Sequence, residues 1–214
     1  MEIDPVTIST AIIIVCLAGF LAALIYMMVR DDNRRKEVFE GLRSFLPGET
    51  GDGGVFSHPS FHGTYKGARL DITYQPGSKH TPARLELFLE APELGVDLRV
   101  YGESVFGSLL DSVGLAFDLA TGHPDFDAAY SLASSDSEAA LTYLAREGVK
   151  EAIDFLFLHG AGSLQLLPGD ERTHGALRLA LEAGSLAHRL DRTELLPVLE
   201  ALHDLRRAAA HSGT

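Results

Sequence analysis

The sequence predicts an α+β protein: one N-terminal membrane-spanning helix, then a single domain with an antiparallel sheet of about six or seven strands packed on two or three helices. Three observations carry this. Residues 6–29 hold 24 positions without a charge. Several later segments alternate apolar and polar residues with period two, the mark of strands with one buried and one wetted face. Other segments repeat apolar residues at helical spacing.

The chargeless stretch comes first. Ile12, Ile13, Ile14, Val15, Leu17, Phe20, Leu21, Leu24 and Ile25 make it apolar on every side. A helix of that length rises roughly 36 Å, against a hydrocarbon core of about 30 Å. Residues 1–5 form a short tail with Glu2 and Asp4 and no basic residue, while Arg30, Arg34, Arg35 and Lys36 follow the span. Basic flanks stay in the cytoplasm, so the expected topology is single-pass in the inner membrane, N-terminus outside and C-terminal domain cytoplasmic. A cleaved signal peptide would need a basic leader, a shorter core and a small-residue cleavage site, and none is present. Gly19 and Ala23 have the spacing that lets two such helices approach closely, a route to an oligomer.

Residues 30–46 read as a basic, amphipathic juxtamembrane helix with Val38, Phe39, Leu42, Phe45 and Leu46 on one side. It either continues the span, lies on the headgroups or packs on the domain. Residues 47–54, P-G-E-T-G-D-G-G, read as a flexible linker, which makes residues 55–214 the domain. Phe61–Tyr65 and Ala68–Tyr74 flank a Lys66-Gly67 turn, and Leu85–Leu89 and Leu94–Tyr101 complete an expected four-strand meander. Residues 104–114 suggest a short helix or apolar loop, residues 121–127 a structured loop, and residues 130–133 a strand. Ser135 and Glu138 have capping-box spacing and open a helix. A second helix runs over 149–159 to a stop at Gly160, burying Ile153, Phe155, Leu156 and Leu158. Strands at 163–167 and 176–182 precede a final helix over 192–210. Two hairpins echo one another at an offset of 92 residues: Pro76-Gly77 with Pro168-Gly169, and Leu85, Leu87, Leu89 with Leu177, Leu179, Leu181. If this is a duplication, a groove between the halves is the natural ligand site.

Composition excludes some functions. Residues after 36 hold 14 of the 18 basic and 26 of the 30 acidic residues, so nucleic acid is not an expected partner. The chain's one cysteine, Cys16, lies in the span, which leaves the domain no disulfide or thiolate metal site. No Walker A, G-x-G-x-x-G or G-x-S-x-G motif occurs. His58 and His62 are four apart, but Pro59 and a strand-like context argue against a helical metal pair. His123, Asp125 and Asp127 alternate as carboxylate-rich cation sites do; the same pattern serves a loop whose carboxylates cap backbone N–H groups around an anchoring Phe126. No catalytic residue, cofactor or metal site is therefore assigned.

Residues 121–144, T-G-H-P-D-F-D-A-A-Y-S-L-A-S-S-D-S-E-A-A-L-T-Y-L, resemble a pattern in uncharacterised bacterial single-pass membrane-anchored proteins. The G-T-Y-K-G-A-R-L strand pair is similar too. The resemblance implies a bacterial anchored protein with a cytosolic α+β domain and constrained Phe126 and Asp127, and implies no activity. The expected function is a membrane-anchored adaptor whose acidic domain binds another protein at the membrane. The alternative is an enzyme or small-ligand binder with its site beside the 121–127 loop.

Overall fold

The fold is that of a computed structural model describing residues 5–51, 58–79, 82–92, 94–102, 119–169, 175–184 and 186–210, with the side chains of 5–15, 24 and 28 outside the description. Eight strands form one antiparallel sheet in the order β1-β2-β3-β4-β8-β7-β5-β6. They are β1 (Gly48–Gly51), β2 (Ser60–Tyr65), β3 (Ala68–Gln75), β4 (Arg84–Glu90), β5 (Leu98–Gly102), β6 (Tyr130–Ala133), β7 (Ala161–Leu167) and β8 (Ala176–Glu182). The helices are α1 (Pro5–Leu42), α2 (Pro124–Ala129), α3 (Ser137–Leu144), α4 (Val149–Leu158), α5 (Leu186–Arg189) and α6 (Arg192–Ala210).

The alternation seen in the sequence becomes a continuous apolar row across the sheet. Phe61, Ile72, Leu87, Leu179, Leu164, Val100 and Leu132 stand opposite one another strand by strand. All are buried, in one cluster with Tyr143 and Leu144 of α3, Ile153 and Leu156 of α4, and Leu195, Leu199, Leu202 and Leu205 of α6. Burial of such side chains, at roughly 1.5–3 kcal/mol each, drives the sheet onto the helices. The next row on the other face is His62, Asp71, Phe88, Arg178, Gln165 and Arg99.

Several expectations are corrected. The sheet has eight strands. β5 does not continue the meander: β8 takes the place beside β4, and β5 pairs with β7 and β6. The first part of the expected linker is not free, because β1 occupies Gly48–Gly51 and pairs with β2; residues 52–54 lie outside the described residues. Gly48 faces Gly63 in that pairing, and the Phe61 ring fills the space: a Cβ on Gly48 would lie 2.5 Å from Phe61 Cζ. The missing side chains are what let β1 dock. Of the alternatives open for the juxtamembrane segment, it continues the preceding helix and packs on the domain: through Leu42 it is the end of the 38-residue α1, and its Phe39 and Leu42, with Leu46 beyond, lie in the core. A domain starting at residue 55 thus lacks part of its own interior.

Smaller corrections follow. The 121–127 loop runs into α2, where Pro124 at the helix start has no N–H to leave unpaired. The cap of α3 is Asp136, whose Oδ1 accepts from Ala139 N at 3.0 Å, not Ser135. Leu158 is exposed at the end of α4. The segment expected over 104–114 lies outside the described residues. Among the described residues, no helix is long and apolar enough to cross a membrane; of the span expected over 6–29, the side chains of 6–15, 24 and 28 lie outside them.

The hairpin echo is a local two-fold relation. Ile72 pairs with Leu87 in one hairpin as Leu164 pairs with Leu179, 92 residues on, in the other. β4 and β8 then pair so that Leu87 faces Leu179, its own equivalent. Past the ladder, Ala91 N donates to Gly175 O at 2.6 Å and Ala183 N donates to Ala83 O at 2.9 Å, again equivalent bonds. Among the described residues the halves join strand to strand, β4 directly beside β8. Both leucines are fully buried. Leu87→Ala and Leu179→Ala are each expected to cost about 2–4 kcal/mol and to agree within about 1 kcal/mol in chemical denaturation. A disagreement of more than about 2 kcal/mol would deny the equivalence.

Candidate functional site

Three places gather polar chemistry. The first is the loop the sequence singles out. Asp127 projects back from α2: its Oδ1 accepts from Thr121 N at 2.9 Å and Thr121 Oγ1 at 2.7 Å, and its Oδ2 accepts from Gly122 N at 3.0 Å. Burial raises the pKa of this carboxyl, but the Thr121 hydroxyl and the Thr121 and Gly122 amides outweigh it, leaving the group below its ordinary value. Gly122 has φ +78°, a conformation that suits glycine, and so turns its N–H toward the carboxylate. Phe126 is buried with its ring 4.8 Å from that of Tyr130, which is 4.8 Å from Phe157. His123, the residue before the same short helix, and Asp125 within it are exposed. The structure does not bring His123, Asp125 and Asp127 together around a common point. Among the described residues, no group of three or more His, Cys, Asp or Glu could hold a metal ion.

The second place is on the polar face of β2 and β3. Ser60 and His62 are two apart on a strand and point the same way, and His62 stands opposite Asp71. His62 Nδ1 lies 2.8 Å from Asp71 Oδ1, and Ser60 Oγ lies 3.0 Å from His62 Nε2. With Nδ1–H donating to the carboxylate, Nε2 accepts from the serine hydroxyl. The connectivity is that of a nucleophile, a base and its orienting acid. Gly51, opposite Ser60, leaves room for it: a Cβ there would be 2.4 Å from Ser60 Oγ. Other features weigh against catalysis. The His62 side chain is 53% exposed, and Arg69 also pairs with Asp71 at 2.9 Å. Antiparallel strands engage their N–H groups within the sheet plane, so the described residues of β1, β2 and β3 turn no pair of amides toward the face to stabilise an oxyanion. Ser60 is expected to stay unlabelled by a fluorophosphonate. A covalent adduct by intact mass, lost in both Ser60→Ala and His62→Ala, would overturn this and favour an enzyme.

Sequence reasoning missed this chain of contacts because Asp71 reaches His62 only through the register of a hairpin. The signal was present in principle: Ser-x-His before a two-residue turn, with Lys66 at φ 47° and Gly67 at φ 80°. That turn docks on α6, where Glu200 accepts from Tyr65 Oη at 2.7 Å and Lys66 Nζ at 2.6 Å. These donors hold the Glu200 carboxyl low, while burial holds the His203 imidazole below its ordinary pKa.

The third place is the middle of α1. Asp31 pairs with Arg35, and Asp32 with Lys36 at 3.2 Å, both one turn apart. The Arg35 guanidinium also lies over the Tyr74 ring of β3, 4.7 Å from its centroid. Two of the four basic residues that follow the expected span are thus neutralised, and one of those is tied to the sheet. Arg30 and Arg34 are exposed and, among the described residues, have no ion-pair partner. N-terminal to them, Leu17, Phe20, Leu21, Ile25, Tyr26, Met27 and Val29 are all exposed.

No protein-family model matches this chain, and a search of the curated proteins returns no match.

Proposed function

We propose that this chain is a membrane-anchored adaptor, holding an acidic α+β domain at the cytoplasmic face of the inner membrane to bind another protein there. The observation that carries it is α1. One uninterrupted helix bears exposed apolar side chains along its first part, from Leu17 to Val29, and buries Phe39 and Leu42 of its last turns in the domain. Exposed apolar surface of that extent is stable only against lipid or another apolar surface. Residues 6–15 add ten more uncharged positions to it. Gly19 and Ala23 are exposed as well, in keeping with self-association through the anchor.

The binding role rests on the sheet's outer face. Several of its charges are paired within the face: Asp71 with Arg69 at 2.9 Å, and Glu86 with Arg84 at 3.0 Å and Arg178 at 2.8 Å. Paired charges suit a face that meets protein more than one that attracts a small charged substrate.

A fluorescent reporter that matures only in the cytoplasm, fused after Thr214, is expected to light up, and the chain to resist alkaline extraction from membranes. A stronger signal from a reporter active only outside, or release by alkali, would sink the anchored topology. Affinity isolation in mild detergent tests the adaptor role. A defined protein should be retained by the full chain and lost when only residues 1–46 serve as bait.

A further inference from the structure

We infer that Arg30 and Arg34 form a clamp for the phosphate of an anionic phospholipid in the cytoplasmic leaflet, an inference that rests on the anchored reading above. The two guanidiniums are one turn apart on α1, so their side chains leave the helix on one side, roughly 5–6 Å apart. Tyr26, one turn before Arg30, and Asn33 and Glu37 border the same strip. Tyrosine favours the level where apolar chains meet headgroups. Arginine offers a planar fork that takes two phosphate oxygens at once.

Position and charge both select this pair. Counting from Val29, the last exposed large apolar residue of α1, Arg30 lies about 1.5 Å further along the axis and Arg34 about 7.5 Å. The headgroup layer on one side of a bilayer is roughly 5–8 Å deep, so both reach it. Arg35 and Lys36 are held by Asp31 and Asp32, and Arg35 also by Tyr74, which leaves Arg30 and Arg34, among the described residues, without an ion-pair partner on one side of the helix, with Asp31 bordering both. Glu37 stands at the far end, about 12 Å past Val29, beyond that layer. The domain's own negative charge begins about 15 Å past Val29, where Phe39 enters the core. That exceeds a Debye length of about 8 Å, so the domain does not cancel the clamp's attraction.

The test uses the full chain in nanodiscs of phosphatidylcholine with a minor fraction of phosphatidylglycerol. Native mass spectrometry then reads which lipid stays bound on release. Phosphatidylglycerol is expected to be enriched over its bulk fraction, with each arginine contributing on the order of fivefold. Arg30→Gln with Arg34→Gln should return retention to the bulk ratio, and either single change should lower it, whereas the single change Arg43→Gln, outside the clamp, should leave it enriched. Millimolar inorganic phosphate should not displace the lipid. A chain that enters the nanodisc but shows no enrichment, or the same enrichment in the double variant, overturns the clamp and leaves the anchor standing. Displacement by phosphate overturns the lipid assignment in favour of a free-anion site. A chain that does not enter the bilayer overturns the anchored reading and the clamp with it.

Discussion

Removing residues 1–46 is expected to abolish cooperative unfolding, while a chain beginning at residue 30 should retain it. Phe39 is 1% exposed, Leu42 0% and Leu46 3%, all in the cluster that fills the space between sheet and helices. Truncating one buried phenylalanine costs about 3–5 kcal/mol, and one buried leucine about 2–5 kcal/mol. A domain of this size has a total stability of about 5–15 kcal/mol. Losing all three therefore removes most or all of it, and β1 loses the turn that leads into it. Phe39→Ala alone, in the chain from residue 30, should lower stability by about 3–5 kcal/mol. Calorimetry and near-ultraviolet circular dichroism check both. A sharp melt for a chain starting at residue 55 would show that the end of α1 merely rests on the domain.

Phe126→Ala is expected to cost about 3 kcal/mol, the lower end of the range for a buried ring, because Phe126 sits at the rim of the core. Asp127→Asn should cost less, about 1–2 kcal/mol, since the amide keeps one acceptor oxygen for the two Thr121 donors and loses only the acceptor for Gly122 N. The pH dependence follows from the direction of the shift. The Asp127 carboxyl lies below its ordinary value of 3.8 when folded. Its contribution is fully present above the unfolded pKa and is lost as pH falls through the folded one. In Asp127→Asn that acid-side loss should be smaller. Denaturant titrations between pH 2 and 7 read all three effects. Added Mg²⁺ or Ca²⁺ should not raise the melting temperature. A rise that vanishes in Asp127→Asn would restore a cation site at the loop.

The strands with side chains to alternate were legible: β3, β4, β7, β8 and the α4 and α6 helices lie where periodicity puts them. β1 was not, because its Gly48 and Gly51 carry no pattern and its reason for pairing is the Phe61 ring on another strand. The neighbour of β4 was not legible either. Alternation says which face of a strand is buried and nothing of which strand lies beside it, and β8 is distant in the chain. The loop reading came through at Phe126 and Asp127, whose partners are within six residues. The Ser60–His62–Asp71 contacts and, among the described residues, the lack of an ion-pair partner at Arg30 and Arg34 depend on register and on neighbouring acids, so a list of basic or histidine residues does not reveal them.

The meeting of Leu87 with Leu179 has a consequence for how the chain is made. β4 leaves the ribosome 92 residues before β8. At 5–20 residues per second, that is roughly 5–18 s in which the inner edge of β4 has no partner. During that interval β1 to β4 form a finished meander with one open, apolar-backed edge, held beside the membrane if α1 has already inserted. An open edge accepts any strand of matching register. The β4 of a neighbouring nascent chain has that register, because β4 and β8 share their spacing of leucines. The same repeat that closes the finished sheet therefore gives two half-made copies a way to pair with each other, and timely arrival of β8 is what keeps each copy to itself.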